Sequence, residues 1–226
     1  MTEEDKAGGQ LGSAKPKLVE TKQRWATEGR LLVPEDARPA KPKLPPGQHE
    51  VKDWPVLDLG TVPDFTIEHW RLRVGGLVEI PVTWDWAAFM AQPQVTDLSD
   101  MHCVTAWSRF DNHWHGVSVQ HLLSVVRPKP EARFVMLHSY DQYTTNLPLA
   151  DFSSPDALLA HSWEGKPLSR SHGGPVRALI PKLYLWKSAK WLKKIEFVAE
   201  DRRGFWEARG YHNHGDPWRQ QRYDKD

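Results

Sequence analysis

Three short stretches concentrate the residue types that do chemistry. The first, residues 99–114, reads SDMHCVTAWSRFDNHW and carries Cys103, the single cysteine of the chain. A thiol that merely fills a core sits among apolar neighbours, and these are polar and aromatic. A thiolate here has two chemical uses. It can attack an electrophile once a histidine has taken its proton, or it can bind a transition metal as a soft ligand. His102 is adjacent in sequence and points away from the thiol in extended chain. His138, His161 and His172 remain as partners for a nucleophile, and a small buried hydrophobe remains as the plain alternative.

The second stretch, residues 171–191, reads SHGGPVRALIPKLYLWKSAKW. It places His172, Arg177, Lys187 and Lys190 close together, with Ser171 just before them and Ser188 among them. Two glycines let the backbone approach a ligand and expose N–H groups to an anion. Arginine grips a phosphate with two parallel donors, while lysine adds a point charge. The pattern suits a phosphate-bearing ligand. Its plain alternative is a basic turn beside a core strand, which Trp186 and Trp191 among the lysines argue against. The third stretch, GFWEARGYHNHGDPW at 204–218, offers His212, His214 and Asp216. They share one side only if the chain is extended. The segment reads better as a polar C-terminal cap anchored by Tyr211 and Trp218.

The elements that must position these groups follow from periodicity and punctuation. Residues 65–77 alternate toward the Gly75-Gly76 turn and predict a strand. A short helix follows, with Thr83 as N-cap and Pro93 as stop, and then a strand leading out to Cys103 and a polar loop. GVSVQHLLSVVRP predicts a helix capped by Ser118. RFVMLHS, GGPVRALIP and WLKKIEFVAED supply further strands, and PDALLAHSWEGKPL contains a short apolar run ending in the Glu164-Gly165 turn. Short strands, frequent turns and few helices define an α+β, β-rich fold in one domain. Residues 1–50, rich in proline toward their end, predict an extended or partly disordered arm, and 51–226 the globular domain.

Composition narrows the function. Thirty Lys and Arg against 29 Asp and Glu give +1, which excludes the basic excess of a nucleic-acid binder. One cysteine cannot form an internal disulfide, which fits a reducing compartment. No apolar run is long enough to span a membrane, and the N-terminus lacks the apolar core of a signal peptide. The expectation is a cytoplasmic protein.

In combination, PVLDLGTVP, HCVTAWSRFDNHWHGV, YTTNLPL, HGGPVRALIPKLYLWKSAKWLKKIEF and GFWEARGYHNHGDPW resemble the molybdopterin-binding domain of the sulfite oxidase family. The likeness is to its small, haem-free, cytoplasmic bacterial branch. The resemblance implies a molybdenum cofactor whose dithiolene holds the metal and whose pterin ends in a phosphate. It implies that Cys103 binds the metal. It assigns His172, Arg177, Ser188 and Lys190 to the pterin and its phosphate, with Lys187 and Ala189 in the same loop and Ser139 touching the pterin. Arg109 falls at the family's anion-binding arginine, with His113 or His115 at the mouth, and Trp54 and Val56 near the N-terminal pterin contacts. The implied activity is two-electron oxygen-atom transfer on a small substrate, a sulfite-like anion or a sulfoxide-like oxide, with an electron-transfer partner. The family's dimerisation domain has no counterpart here, so a monomer is expected. The alternatives are a Cys–His hydrolase or transferase, and a non-catalytic module that keeps the fold.

Overall fold

The two longest of the described strands meet at a turn that holds Cys103. The structure, a computed structural model, describes residues 16–28 and 44–226. In chain order the elements are α1 (Pro16–Glu28), β1 (His49–Glu50), β2 (Arg71–Gly76), β3 (Val82–Asp85), α2 (Trp86–Met90), β4 (Gln94–His102), β5 (Trp107–Ser118), α3 (Val119–Val126) and β6 (Phe134–Ser139). They continue with β7 (Thr144–Pro148), α4 (Leu149–Phe152), β8 (Leu158–Trp163), β9 (Lys166–Pro167), β10 (Arg177–Leu179) and β11 (Leu192–Val198). Among the described residues these strands form two mixed sheets. One runs β1-β5-β8-β10, with β4 on β5 and β9 on β8; the other runs β3-β2-β11-β6-β7.

The α+β, β-rich reading holds, and several local readings change. The polar stretch after Cys103 is strand β5 rather than a loop. Asp111 and His113 face out while Asn112 and Trp114 are buried, which is the period of a half-buried strand. Polarity disguised that alternation, because Asn112 is a buried polar residue. Its Nδ2 donates to the carbonyls of Ser99 and Arg109 at 3.0 and 2.8 Å. The N-cap of α2 is Asp85, whose Oδ1 accepts from the Ala88 N–H at 2.8 Å. Thr83, the expected cap, lies in β3 opposite Arg73. Ser118 caps α3 as its sequence predicted, accepting from His121 N–H. Residues 65–70 are not strand; they include a 3-10 turn at Ile67–His69.

The arm also differs from its expectation. Most of it, 1–15 and 29–43, lies outside the described residues. Residues 16–28 are helical, not extended: Pro16 takes the first helical position, where no N–H bond is needed, and no proline or glycine follows before Gly29. Residues 48–51 join the core rather than precede it. His49 N–H donates to Ala106 O at 2.9 Å and Val51 N–H to Ser108 O at 2.8 Å.

The core is aromatic. Trp70, Trp114, Trp191, Tyr184, Phe89 and Phe152 are fully buried. The indole N–H of Trp70 finds Leu192 O at 3.1 Å and that of Trp191 finds Arg170 O at 2.7 Å. A buried ion pair ties the C-terminal segment to β7. Lys187 Nζ stands 2.6 Å from Glu207 Oε1, both side chains being wholly buried. The ammonium also donates to Asn146 O and Asn213 O, each at 2.7 Å. The same Glu207 oxygen accepts from Thr145 Oγ1 at 2.6 Å and Trp186 Nε1 at 3.0 Å.

Removing one member of such a pair strands the other charge. Lys187→Met is expected to lower unfolding free energy by about 3–5 kcal/mol, read from urea denaturation. Adding Glu207→Gln restores part of that loss. A double variant no more stable than the single one contradicts the pairing.

Candidate cofactor-binding site

Cys103 sits in the tight connection between β4 and β5. Its N–H donates to Trp107 O at 2.8 Å, and its carbonyl accepts from Ala106 N–H at 3.0 Å. Ala106 closes the turn at φ 71°, a left-handed conformation that a non-glycine residue adopts only under constraint. The constraint comes from both ends of the described chain. Gln48 Nε2 donates to Cys103 O at 3.0 Å, and Arg222 Nη1 donates to Val104 O at 2.8 Å. His102 turns away to Ser108 Oγ at 2.8 Å, as the extended chain predicted. The thiol's own partner is Thr105 Oγ1 at 3.1 Å. Burial pushes the thiol pKa up, against the Thr105 hydrogen bonds and the charges of Lys22 and Arg222. Among the described residues no histidine bonds to the thiol, so the nucleophile reading lacks its base.

The glycine loop forms the opposite wall. Gly173 has φ 102°, and a Cβ there would lie 2.8 Å from Lys190 Cβ, so only glycine lets the two segments meet. Arg177 opens β10 and is buried. Its guanidinium donates to His172 O and Ser188 O, each at 2.9 Å, and lies 5.2 Å from the Trp54 ring centroid. It has no carboxylate partner among the described residues, and burial pulls its pKa down to about 9. Lys190 donates to Ser171 O at 2.6 Å; burial, then the charge of Arg177, pulls its pKa down to about 8. Ser188 Oγ accepts from Ile180 N–H at 2.9 Å, fixing the loop on β10. Asp141 faces these cations, and burial raises its carboxyl to about 6.

Both walls border one cleft of about 810 Å³ of atom-free space, counted out to its open mouth, which suits a cofactor. Cys103, Ser139, Arg177, Ser188 and Lys190 line it, beside Trp54, Trp186 and Trp206. Two lining groups, Trp107 Nε1 and Ser139 Oγ, are buried without a hydrogen-bond partner among the described residues. Both are free to donate to a ligand held in the cleft. A soft sulfur, a buried guanidinium with no carboxylate partner, a neighbouring ammonium, orphan donors and flat aromatic walls fit a sulfur-bound metal on a pterin with an anionic tail.

Other expected site residues lie elsewhere. Lys187 belongs to the buried pair with Glu207, so its charge is already matched. Ala189 does not line the cleft; its carbonyl accepts from Ala178 N–H at 2.9 Å. His172 stands behind the lining, its ring stacked on Trp54 at 4.0 Å and its Nε2 3.1 Å from Trp54 O. Arg109 is outside the cleft. It pairs with Glu164 at 3.2 Å, bonds Asn112 Oδ1, and lies 4.6 Å from the Trp163 ring centroid. Once the polar stretch is a strand, Arg109, His113 and His115 run along β5 away from the mouth. His115 packs near His161, ring centroids 4.9 Å apart. Val56 is exposed, whereas Trp54 is buried in the wall.

Among the described residues the C-terminal histidines belong to no group of three metal-ligating side chains. His214 pairs with Asp151 at 2.7 Å, and His212 Nδ1 accepts from the N–H groups of His214 and Gly215. Tyr211 is a buried anchor, whereas Trp218 is 52% exposed and meets the core only edge-on, its ring centroid 6.2 Å from that of His102. Gln48, Lys22, Asp141 and Arg222 were missed, each being an ordinary polar residue whose place depends on distant contacts.

A cleft lined by the sole thiol and a buried guanidinium, on two mixed sheets, suits a protein that holds a soft metal on an anionic cofactor. Residues 59–206 match the family described as the oxidoreductase molybdopterin binding domain, and the chain belongs to it. It is a molybdopterin-dependent oxidoreductase of the sulfite oxidase type, and its cofactor is the molybdenum cofactor. It is 44% identical over 182 residues to "Uncharacterized oxidoreductase YuiH" of Bacillus subtilis, covering 80% of this chain and 92% of that protein. It is 27% identical over 162 residues to the protein-methionine-sulfoxide reductase catalytic subunit MsrP of Campylobacter jejuni, covering 64% of this chain and 54% of that one. The fold is similar to the sulfane dehydrogenase SoxCD of Paracoccus pantotrophus, with a TM-score of 0.57 and 19% identity over 62% of this chain and 41% of that one.

The Asp141 carboxyl gives a pH signature. Its pKa rises from 3.8 to about 6 on folding, so the native state loses stability as pH climbs through that window. In cofactor-free protein, the stability of Asp141→Asn relative to wild type should therefore grow between about pH 4 and pH 6 and level off above. A pH-independent difference in urea midpoint contradicts this environment.

Proposed function

We propose that this oxidoreductase moves an oxygen atom to or from a small sulfur oxo compound, a sulfite-like anion or a sulfoxide-like oxide, and exchanges electrons with a separate partner. When bound, the molybdenum cofactor supplies the two-electron redox change and the oxygen exchange. The chain's residues hold, orient and enclose it. Cys103 gives its thiolate to the metal; burial keeps the free thiol protonated, so binding releases a proton. Arg177 and Lys190 meet the anionic tail with Ser188 beside them, and Ser139 and Trp107 donate to polar edges. Trp54 presents a flat wall, stiffened by His172 behind it. Asp141, with a pKa of about 6, can accept or return a proton at the ligand's edge.

The observation that carries this reading is one cleft lined by the sole thiol and by a buried, carboxylate-free guanidinium. The sulfoxide side is supported by the relative named for methionine sulfoxide reduction, of which the chain spans about half. The sulfite side is supported by the cationic lining. Among the described residues no helix is long and apolar enough to cross a membrane. A cytoplasmic location, resting on the lone cysteine and the family resemblance, completes the proposal.

Cys103→Ser is expected to abolish turnover and shift the sulfur-to-metal absorption band; an unchanged band and rate exclude the thiol as ligand. Arg177→Met should leave cofactor-free protein at least as stable, since it removes an unmatched buried charge. The same change should cut molybdenum content about tenfold or more. Full retention of molybdenum, measured by elemental analysis, contradicts the anchoring role.

A further inference from the structure

Helix α1 lies outside the 59–206 stretch that carries the family match, yet it reaches the cleft. Lys22 is 8% exposed and lines the same cavity as Cys103. Its Nζ stands 5.4 Å from the ring centroid of Trp206. It makes no hydrogen bond or ion pair with any of the described residues. Val19, three positions earlier and so on the same face, packs on the core. Lys225 Nζ donates to Thr27 O at 3.2 Å near the helix end. The helix is thus seated with one ammonium directed inward.

A buried ammonium without a counter-ion is unfavourable unless a ligand supplies the anion. Lys22 is within electrostatic reach of Cys103, Asp58 and Lys190. Asp58, a carboxylate of the same lining, acts on Lys22 without forming an ion pair with it, and accepts from Gly60 N–H at 2.8 Å. The thiol feels Lys22 and Arg222. Lys22 therefore lines the same cleft as the thiol, Lys190 and Arg177. Lysine brings a compact point charge with three rotatable donors, suited to an oxyanion of variable orientation.

We propose that Lys22 is an oxyanion-binding residue of the cleft and that α1 is the cap that delivers it. The inference rests on the function proposed above. One ligand chemistry has two sources, a sulfite- or sulfate-like substrate or product anion, and the cofactor's terminal phosphate. Wild-type, Lys22→Ala and Lys22→Arg holoenzymes separate them, with two readings. Molybdenum per chain is measured after dialysis, and sulfate affinity from its perturbation of the Mo(V) paramagnetic spectrum. If the anion is substrate-like, Lys22→Ala weakens sulfate binding about tenfold or more at unchanged molybdenum content, and Lys22→Arg recovers most of it. If it is the phosphate, Lys22→Ala loses molybdenum and Lys22→Arg keeps it. Wild-type sulfate affinity and molybdenum content in Lys22→Ala overturn the proposal. A wild-type protein that never carries molybdenum overturns the underlying function instead, so the two failures are distinct.

Discussion

A positive charge buried without an internal counter-ion organises the cleft. Folding alone disfavours a guanidinium at the Arg177 position, and burial weakens its hold on its proton. The chain satisfies its hydrogens with the carbonyls of His172 and Ser188 and leaves its net charge open. Lys190, half-buried nearby with Asp58 and Asp141 in electrostatic reach, adds a second positive charge whose pKa is lowered by burial and by Arg177. Lys187 belongs to the same loop region, yet its charge is fully matched by Glu207. One loop therefore holds a lysine that stabilises the fold and cations that await an anion.

The second requirement is a thiol that cannot wander. Cys103 is fixed by the hairpin that carries it and by side chains from both ends of the described chain, Gln48 and Arg222. The strained Ala106 at its corner persists because those contacts over-determine the turn. A metal ligand needs that rigidity more than it needs reactivity. No neighbouring base is required to ionise the thiol, since coordination itself displaces the proton.

Much of this was legible in the sequence, and the failures share a cause. The α+β class, the Ser118 cap, the thiol, and the Arg177, Ser188 and Lys190 lining came from residue type, local order and the family resemblance. Lys187 and Arg109 were misplaced because charge alone does not reveal a partner. Glu207 and Glu164 are distant in sequence, and each neutralises a cation that composition presents as free. Strand β5 was hidden by the same effect, its inward Asn112 reading as a loop residue until its two carbonyl partners are known. Gln48 and Lys22 lay in a segment whose prolines suggested extended chain, and only tertiary contacts bring them to the cleft.

Whether Cys103 and the cofactor share one metal decides all of this. X-ray absorption at the molybdenum edge of the oxidised holoenzyme tests it most directly, by counting sulfur neighbours. Three are expected, the dithiolene pair together with the Cys103 thiolate. A fully loaded, native protein whose molybdenum has only the dithiolene pair would contradict the shared site.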